Sequence, residues 1–328
     1  MANPAPGFDL STRTHFGPIG TATRSSGGQS RIDIPQTGYM ARLYCTVRGV
    51  INVVTSGPNA LGQAAIIRQI RLLTGASIDL INISGPGYFH LLKPVIDAPI
   101  NVIPYSTALS AIASAGTVKL DFVLPVEVNL RDQIGYFTMQ NRQTLATLVV
   151  DWETDANIAT GGITWTTQPV LTVNYQWMTV PSDAANQPAL NTVHTINEDQ
   201  TTIAAAGQST YNWPLGNTYL QLIHGFGFAV AGADNWSRLQ WVANQSDYLM
   251  DVDPNFMDLQ HGYQRGLTRA PGVVPLDLIG QSGQGVYDIP RDTINSQALT
   301  NLKSVFTFTA SGTLYSVRRE VVNIGRPA

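Results

Sequence analysis

The side chains able to do acid–base, nucleophilic or metal chemistry in this chain are five histidines, one cysteine, 22 carboxylates and scattered serines. His15, His90, His194, His224 and His261 show no H-x-H or H-E-x-x-H spacing, so no local set of zinc ligands exists. Asp251-Val252-Asp253-Pro254-Asn255 opens like a calcium loop. Its sixth position is Phe256 where the sharp turn needs glycine, and its twelfth is Gly262 where a bidentate glutamate belongs. Asp253-Pro254 reads instead as a helix start. Gly280-Gln281-Ser282-Gly283-Gln284-Gly285 has Gln284 where a nucleophile elbow needs glycine, and no lysine follows Gly285 as a phosphate loop requires. It reads as a turn between strands.

Asp121 with Glu127, or Asp151 with Glu153, are the carboxylate pairs that could serve glycoside hydrolysis, which needs two such groups about 5–10 Å apart. The competing reading places them as charges on the outer faces of strands. Cys45 lies on an apolar alternation and reads as a small buried hydrophobe. Asn82-Ile83-Ser84, Asn235-Trp236-Ser237 and Asn244-Gln245-Ser246 match the glycosylation acceptor. No signal peptide accompanies them, so they read as coincidental. Trp152, Trp177 and Trp241 fall in strand-like runs, as core or interface anchors. No catalytic, cofactor-binding or metal residue is therefore assigned, no cofactor is expected, and the chain reads as a non-enzyme.

The elements around these residues are predominantly strands. Tyr39, Ala41, Leu43, Cys45 and Val47 alternate with polar residues, as do Val118, Leu120, Phe122, Leu124, Val126 and Val128, and Leu171, Val173, Tyr175 and Trp177. Residues from Leu145 to Trp152 form a further strand candidate. Leu220, Leu222, Phe226, Phe228 and Val230 share one alternating face, as do Leu302, Phe306 and Phe308, followed by Tyr315, Val317 and Val321. Such runs with Gly, Pro and Asn punctuation indicate a sandwich or barrel.

The order of elements repeats. Residues Arg68 to Ile83 read as strand, polar turn, strand, followed by a helix-like segment from Ser84 to Lys93. Residues Arg238 to Val252 repeat this, followed by a helix-like segment from Asp253 to Gly262. A proline-containing strand comes next in each half, Leu124-Pro125-Val126 and Val274-Pro275-Leu276. A polar loop follows, through Leu130-Arg131-Asp132 and Pro290-Arg291-Asp292, and then two closing strands. Roughly eight strands per half with an inserted helix fits a jelly roll. The fold class expected is all-β, two tandem eight-stranded jelly-roll barrels with short inserted helices. The domains expected are an extended arm over 1–36, a first jelly roll over 37–181, a linker over 182–190 and a second jelly roll over 191–328. The 328 residues suit two domains of about 150.

Composition narrows the function. Charged residues make up 12% of the chain, about half of the roughly 25% usual for a soluble domain, and interface centres are depleted in charge. The net charge of −3 offers no electrostatic footprint for nucleic acid, so no specific nucleic-acid binding is expected. The arm, with Arg13, Arg24 and Arg31 against Asp9 and Asp33, is nearly neutral. Cys45 alone allows no intrachain disulfide, which suits folding in a reducing cytoplasm. Met1 to Gly7 carry neither a basic nor an apolar signal region, and no run of 18 apolar residues occurs.

The order of features resembles the double jelly-roll major capsid proteins of tailless icosahedral viruses, bacteriophages among them. The stretches that carry it are Ile67 to Leu72 leading into Ile83-Ser84-Gly85 and an aromatic helix; Val123 to Val126 with Leu130 to Phe137, Gln140-Asn141 and Thr144 to Asp151; and Val305 to Ile324. The resemblance implies a coat subunit made in the host cytoplasm and located in the virion. It implies a homotrimer with a pseudo-hexagonal outline, since three chains of two barrels present six. It also implies contacts with neighbouring capsomers and with minor capsid or penton proteins, and a contact of the N-terminal arm with an internal membrane. The alternatives are a trimeric viral spike or receptor-binding β-protein, and a carbohydrate-active jelly-roll enzyme.

Overall fold

The computed structural model describes residues 13–75, 79–96, 111–128, 135, 137–139, 145–180, 192–265, 269–278 and 293–323. The chain forms two compact units. Unit 1 comprises Met1–Gly85, Ser106–Ile196 and Val321–Ala328, and unit 2 comprises Pro86–Tyr105 and Asn197–Glu320. The polar loops about residues 130–134 and 290–292, the linker at 182–190 and the glycine-rich turn at 280–285 lie outside the described residues.

Unit 1 holds β1 (Thr14–Thr23), β2 (Gln29–Asp33), β3 (Tyr39–Val54), β4 (Ile67–Thr74), β5 (Asp79–Ile83), β6 (Thr117–Pro125), β7 (Phe137–Thr138), β8 (Ala146–Trp152) and β9 (Ile163–Met178). Alternation decides which faces are covered: on β3, Ala41, Leu43, Cys45, Val47, Gly49 and Ile51 are buried while the residues between them are half-buried or exposed. The same period buries Val118, Leu120, Phe122 and Leu124 on β6, and Leu171, Val173 and Tyr175 on β9. One sheet runs β1–β9–β3–β6, with the short β7 also on β3, and the other runs β2–β8–β4–β5. The pairings are antiparallel, for example Cys45 opposite Phe122 and Val173.

β1 and β2 lie within the stretch expected to be an extended arm. They are strands because β9 and β8 supply their ladder partners, Thr14 opposite Met178 and Gln29 opposite Asp151. No β1 side chain is fully buried, so its apolar content carries no strand signal.

β10 (Thr192–Ile203) begins in unit 1 and continues in unit 2. Unit 2 adds β11 (Gly207–Asn212), β12 (Thr218–Phe226), β13 (Trp236–Ala243), β14 (Asp247–Val252), β15 (Val273–Asp277), β16 (Ile294–Asn295), β17 (Leu302–Phe308) and β18 (Gly312–Asn323). Here one sheet order is β10–β18–β12–β15, with β16 on β12, and the other is β11–β17–β13–β14. Among the described residues this is, strand for strand, the pairing order of unit 1 again, with the two-residue β16 in the place of β7. In both units successive strands β1 and β2, or β10 and β11, enter different sheets, as a Greek-key double sheet requires.

Helical segments follow β5 and its counterpart β14. A π-helical turn, Gly87–Leu92, and α1 (Lys93–Ile96) follow β5 in sequence and belong to unit 2. There His90 packs on Phe228 with ring centroids 5.2 Å apart. A second α-helix, α2 (Asp155–Ile158), is capped by Thr154, whose side chain accepts from Asn157 N. α3 (Pro254–Arg265) follows β14; Asp253 Oδ1 accepts from Phe256 N at 2.8 Å and Pro254 occupies the first turn, where a missing N–H is harmless.

The unit 2 core gathers Trp213, Tyr219, Phe226, Trp236, Trp241, Phe306 and Phe308 with Leu222, Leu239 and Leu302. The expected apolar face from Leu220 to Val230 is cut short. β12 stops at Phe226 because Gly227 turns the chain at φ +73°, and Val230 is exposed.

Candidate functional site

The arrangement closest to a reactive constellation lies inside unit 2. β12 carries His224, β17 carries Ser304 and β18 carries Ser316. All three are fully buried. His224 Nε2 lies 2.8 Å from Ser304 Oγ, and its Nδ1 lies 2.9 Å from Ser316 Oγ. Trp213 Nε1 donates to the same Ser304 Oγ at 2.7 Å. With the Ser304 oxygen accepting from the indole, its hydroxyl hydrogen goes to Nε2, which leaves Nδ1–H as the donor on the other side of the ring.

A serine beside a histidine is the geometry of an activated nucleophile, but the surroundings give it another role. Tyr211, Trp213, Trp241 and Phe306 enclose the imidazole at ring-centroid distances of 4.8–5.8 Å. Burial drives the His224 pKa down to about 3, so the ring is neutral and a weak base at physiological pH. The cluster is a satisfied polar clasp across three strands. Nothing in the sequence spacing points to it, since Ser304 is 80 positions and Ser316 is 92 positions from His224.

The structure brings no two of the other histidines into one site. His15 stacks on Trp177 and meets Thr179 Oγ1 at 2.8 Å, and His194 Nδ1 meets Val126 O at 3.2 Å. His261 is half-buried on α3. Among the described residues no group of three His, Cys, Asp or Glu side chains is placed to hold a metal ion.

The candidate carboxylates are engaged with their own neighbours. Asp121 pairs with Arg48, and Glu127 with Arg42. Asp151 accepts from Gln29 Nε2 at 2.7 Å and Arg71 at 2.8 Å, while Glu153 accepts from Thr154 N and Asn157 Nδ2. Asp251 receives both arms of Arg238 and the amide of Gln240, which hold its carboxyl at about 2. Cys45 is buried on β3, and burial raises its thiol pKa far above the usual range. Trp152 and Trp241 are core residues, and Trp177 stacks between His15 and Tyr175.

The three acceptor asparagines also have internal roles. Asn82 Oδ1 accepts from Gln69 Nε2 at 2.6 Å, the Asn235 carbonyl accepts from Thr309 N, and Asn244 Oδ1 accepts from Thr300 N.

The exposed features are different in kind. Tyr248 and Leu249 on β14, Phe256 and Leu259 on α3, and Phe16 on β1 are large apolar side chains turned to solvent. No helix among the described residues is long and apolar enough to cross a membrane. The features set apart by this chain are thus a doubled strand plan and open apolar surface.

That plan is shared with solved viral shells. The atomic structure of Sulfolobus Turreted Icosahedral Virus aligns at a TM-score of 0.72 and 12% identity, over 94% of this chain and 91% of that one. The PBCV-1 virus capsid aligns at 0.67 and 9% identity, over 95% and 94%. The major capsid protein P2 from Bacteriophage PM2 aligns at 0.59 and 12% identity, over 96% and 100%. The chain has the double jelly-roll fold. At these identities the likeness is one of fold, and it spans nearly the whole length of each double jelly roll. No protein-family model and no curated protein sequence matches the chain.

Proposed function

We propose that this chain is the major coat subunit of a tailless icosahedral virion, acting through geometry and self-association and catalysing no reaction. The observation that carries this reading is the repetition of one complete strand plan within a single chain, in a fold shared end to end with viral capsid structures. Three copies of a two-barrel chain present six similar barrels, so a homotrimer has a pseudo-hexagonal outline suited to tiling a shell. The low charged fraction supports extensive burial against neighbouring capsomers. Fivefold positions call for minor capsid or penton proteins, and the near-neutral charge balance of residues 1–36 gives no basis for tight genome binding.

Negative-stain microscopy of the purified chain tests this. Flat pseudo-hexagonal trimers or closed shells are expected. Elongated rods, or monomers at every concentration, would overturn it.

A further inference from the structure

Trp213 belongs to the unit 2 core, and two phenols lie against its indole. Tyr211 meets it edge to face with ring centroids 4.8 Å apart, and Tyr219 does so at 6.3 Å. Both spacings are those of paired aromatic rings. The two phenols differ in what their hydroxyls face. Tyr219 Oη donates to the Pro214 carbonyl, an uncharged acceptor. Tyr211 Oη, on β11, donates to Asp199 Oδ2, on β10, at 2.6 Å, the short distance of a hydroxyl on a carboxylate. Arg318 on β18 holds Asp199 from the other side and donates to Glu320 at 3.2 Å. The Asp199 side chain is 45% exposed, whereas Trp213 is buried.

Indole and phenol are the aromatic side chains that give up one electron most readily. A phenol that has lost an electron is a strong acid, so its oxidation needs a base on the hydroxyl. Around Trp213 only one such base is in place. The Trp213 Nε1 proton faces Ser304 Oγ, and behind that hydroxyl stands His224 Nε2. Burial holds His224 at about 3, so this imidazole takes no proton near neutrality. The Pro214 carbonyl is no base. Asp199 is a carboxylate already bonded to the proton it would receive.

We propose that Tyr211 and Asp199 form a radical drain, a site that carries one-electron oxidation out of the buried core of unit 2. The oxidising event is ultraviolet ionisation of Trp213, which ejects an electron into solvent and leaves the indole radical cation. Tyr211 gives one electron to the indole while its O–H bond breaks and the proton goes to Asp199. Trp213 is restored, Tyr211 is a neutral radical, and Asp199 is an uncharged carboxylic acid. A soluble thiolate then gives Tyr211 one electron and leaves as a thiyl radical, and Asp199 returns the proton. Tyr211 and Asp199 are both partly exposed, so this last step is reached from solvent.

Site-resolved mass spectrometry of the full chain after a fixed ultraviolet dose, with a thiol present, tests the proposal through the oxidation products at Trp213. A positioned proton acceptor is worth about tenfold or more in such a transfer, so Tyr211→Phe and Asp199→Asn are each expected to raise Trp213 oxidation about tenfold. Asp199→Glu, which keeps the carboxylate, is expected to restore the protection. Tyr248→Phe, at an exposed phenol on β14, is expected to leave Trp213 oxidation unchanged. Deuterated solvent separates proton transfer from a loosened core: Trp213 oxidation should rise more in the wild type than in Asp199→Asn. If Asp199→Asn does not fold, as judged by circular dichroism, Tyr211→Phe takes its place in the solvent comparison. Equal Trp213 oxidation in the wild type and Tyr211→Phe would overturn the drain, as would a deuterium effect of the same size in the wild type and the variant.

Discussion

His224 and Trp213 share one hydroxyl: the imidazole Nε2 and the indole Nε1 lie 2.8 and 2.7 Å from Ser304 Oγ. One side chain on β17 thereby satisfies two buried nitrogens from β12 and from the segment after β11. Ser304→Ala leaves both without that partner in a site closed to water, and each unmet buried polar group costs about 1–3 kcal/mol. The expected loss is about 2–4 kcal/mol of unfolding free energy. Urea titration at fixed protein concentration checks it, with an unchanged denaturant slope.

The same histidine makes unit 2 acid-sensitive. In the unfolded chain it titrates near its ordinary 6.5, and in the folded chain near 3. Between those values the unfolded state binds a proton that the folded state refuses, so stability falls as pH drops from about 6.5 toward 3. Well inside that window the slope is about 1.4 kcal/mol per pH unit. His224→Gln should remove that one proton's worth of slope. Urea midpoints measured at pH 7, 6, 5 and 4 check this; parallel profiles for the two proteins would refute it.

Arg269 fastens α3 to its surroundings. Its buried guanidinium donates to both Asp234 oxygens at 2.8 Å, to Asp258 on α3 at 2.9 Å and to Val273 O at 3.0 Å. Arg269→Met strands these acceptors. Removing one partner of a buried pair costs about 3–5 kcal/mol, and the partial exposure of both carboxylates lowers this to about 2–3 kcal/mol. Amide hydrogen exchange should rise across α3 before it rises in β12.

How much of this was legible in the sequence depended on which faces of a strand are covered. β3, β6 and β9 bury one face more deeply than the other, and their period of two is plain. β8 and β12 are buried on both faces, and β18 buries Arg319 and Glu320 together with Leu314 and Val317, so alternation fades there. The repeated hairpin-then-helix was readable because turn and cap residues are local signals: β4–β5 and β13–β14 fall where the two matching segments stand. β1 and β2 were not, since their stability comes from backbone ladders that any side chain permits. The Ser304–His224–Ser316 clasp was hidden for a related reason: only the fold joins residues so far apart in the chain.

Two glycines at positive φ separate steric from conformational cost. At Gly38, φ is +61° and an added Cβ would sit 2.2 Å from Met178 O, a backbone atom that cannot move aside without disturbing the β3–β9 ladder. At Gly162, φ is +91° with open space around it. Gly162→Ala should cost about 1 kcal/mol from backbone strain alone, and Gly38→Ala about 2–3 kcal/mol or more. Thermal unfolding of the two variants side by side checks the ranking.

β18 occupies the interior of its sheet, between β10 and β12, although it is the last strand among the described residues. During synthesis β10 and β12 must wait with unfilled edges for about a hundred residues before the strand that joins them emerges, some 5–20 seconds at ordinary elongation rates. A nascent chain therefore holds an incomplete second barrel until β18 has emerged. This delay leaves one ladder edge each of β10 and β12 unpaired while β13 to β17 are made.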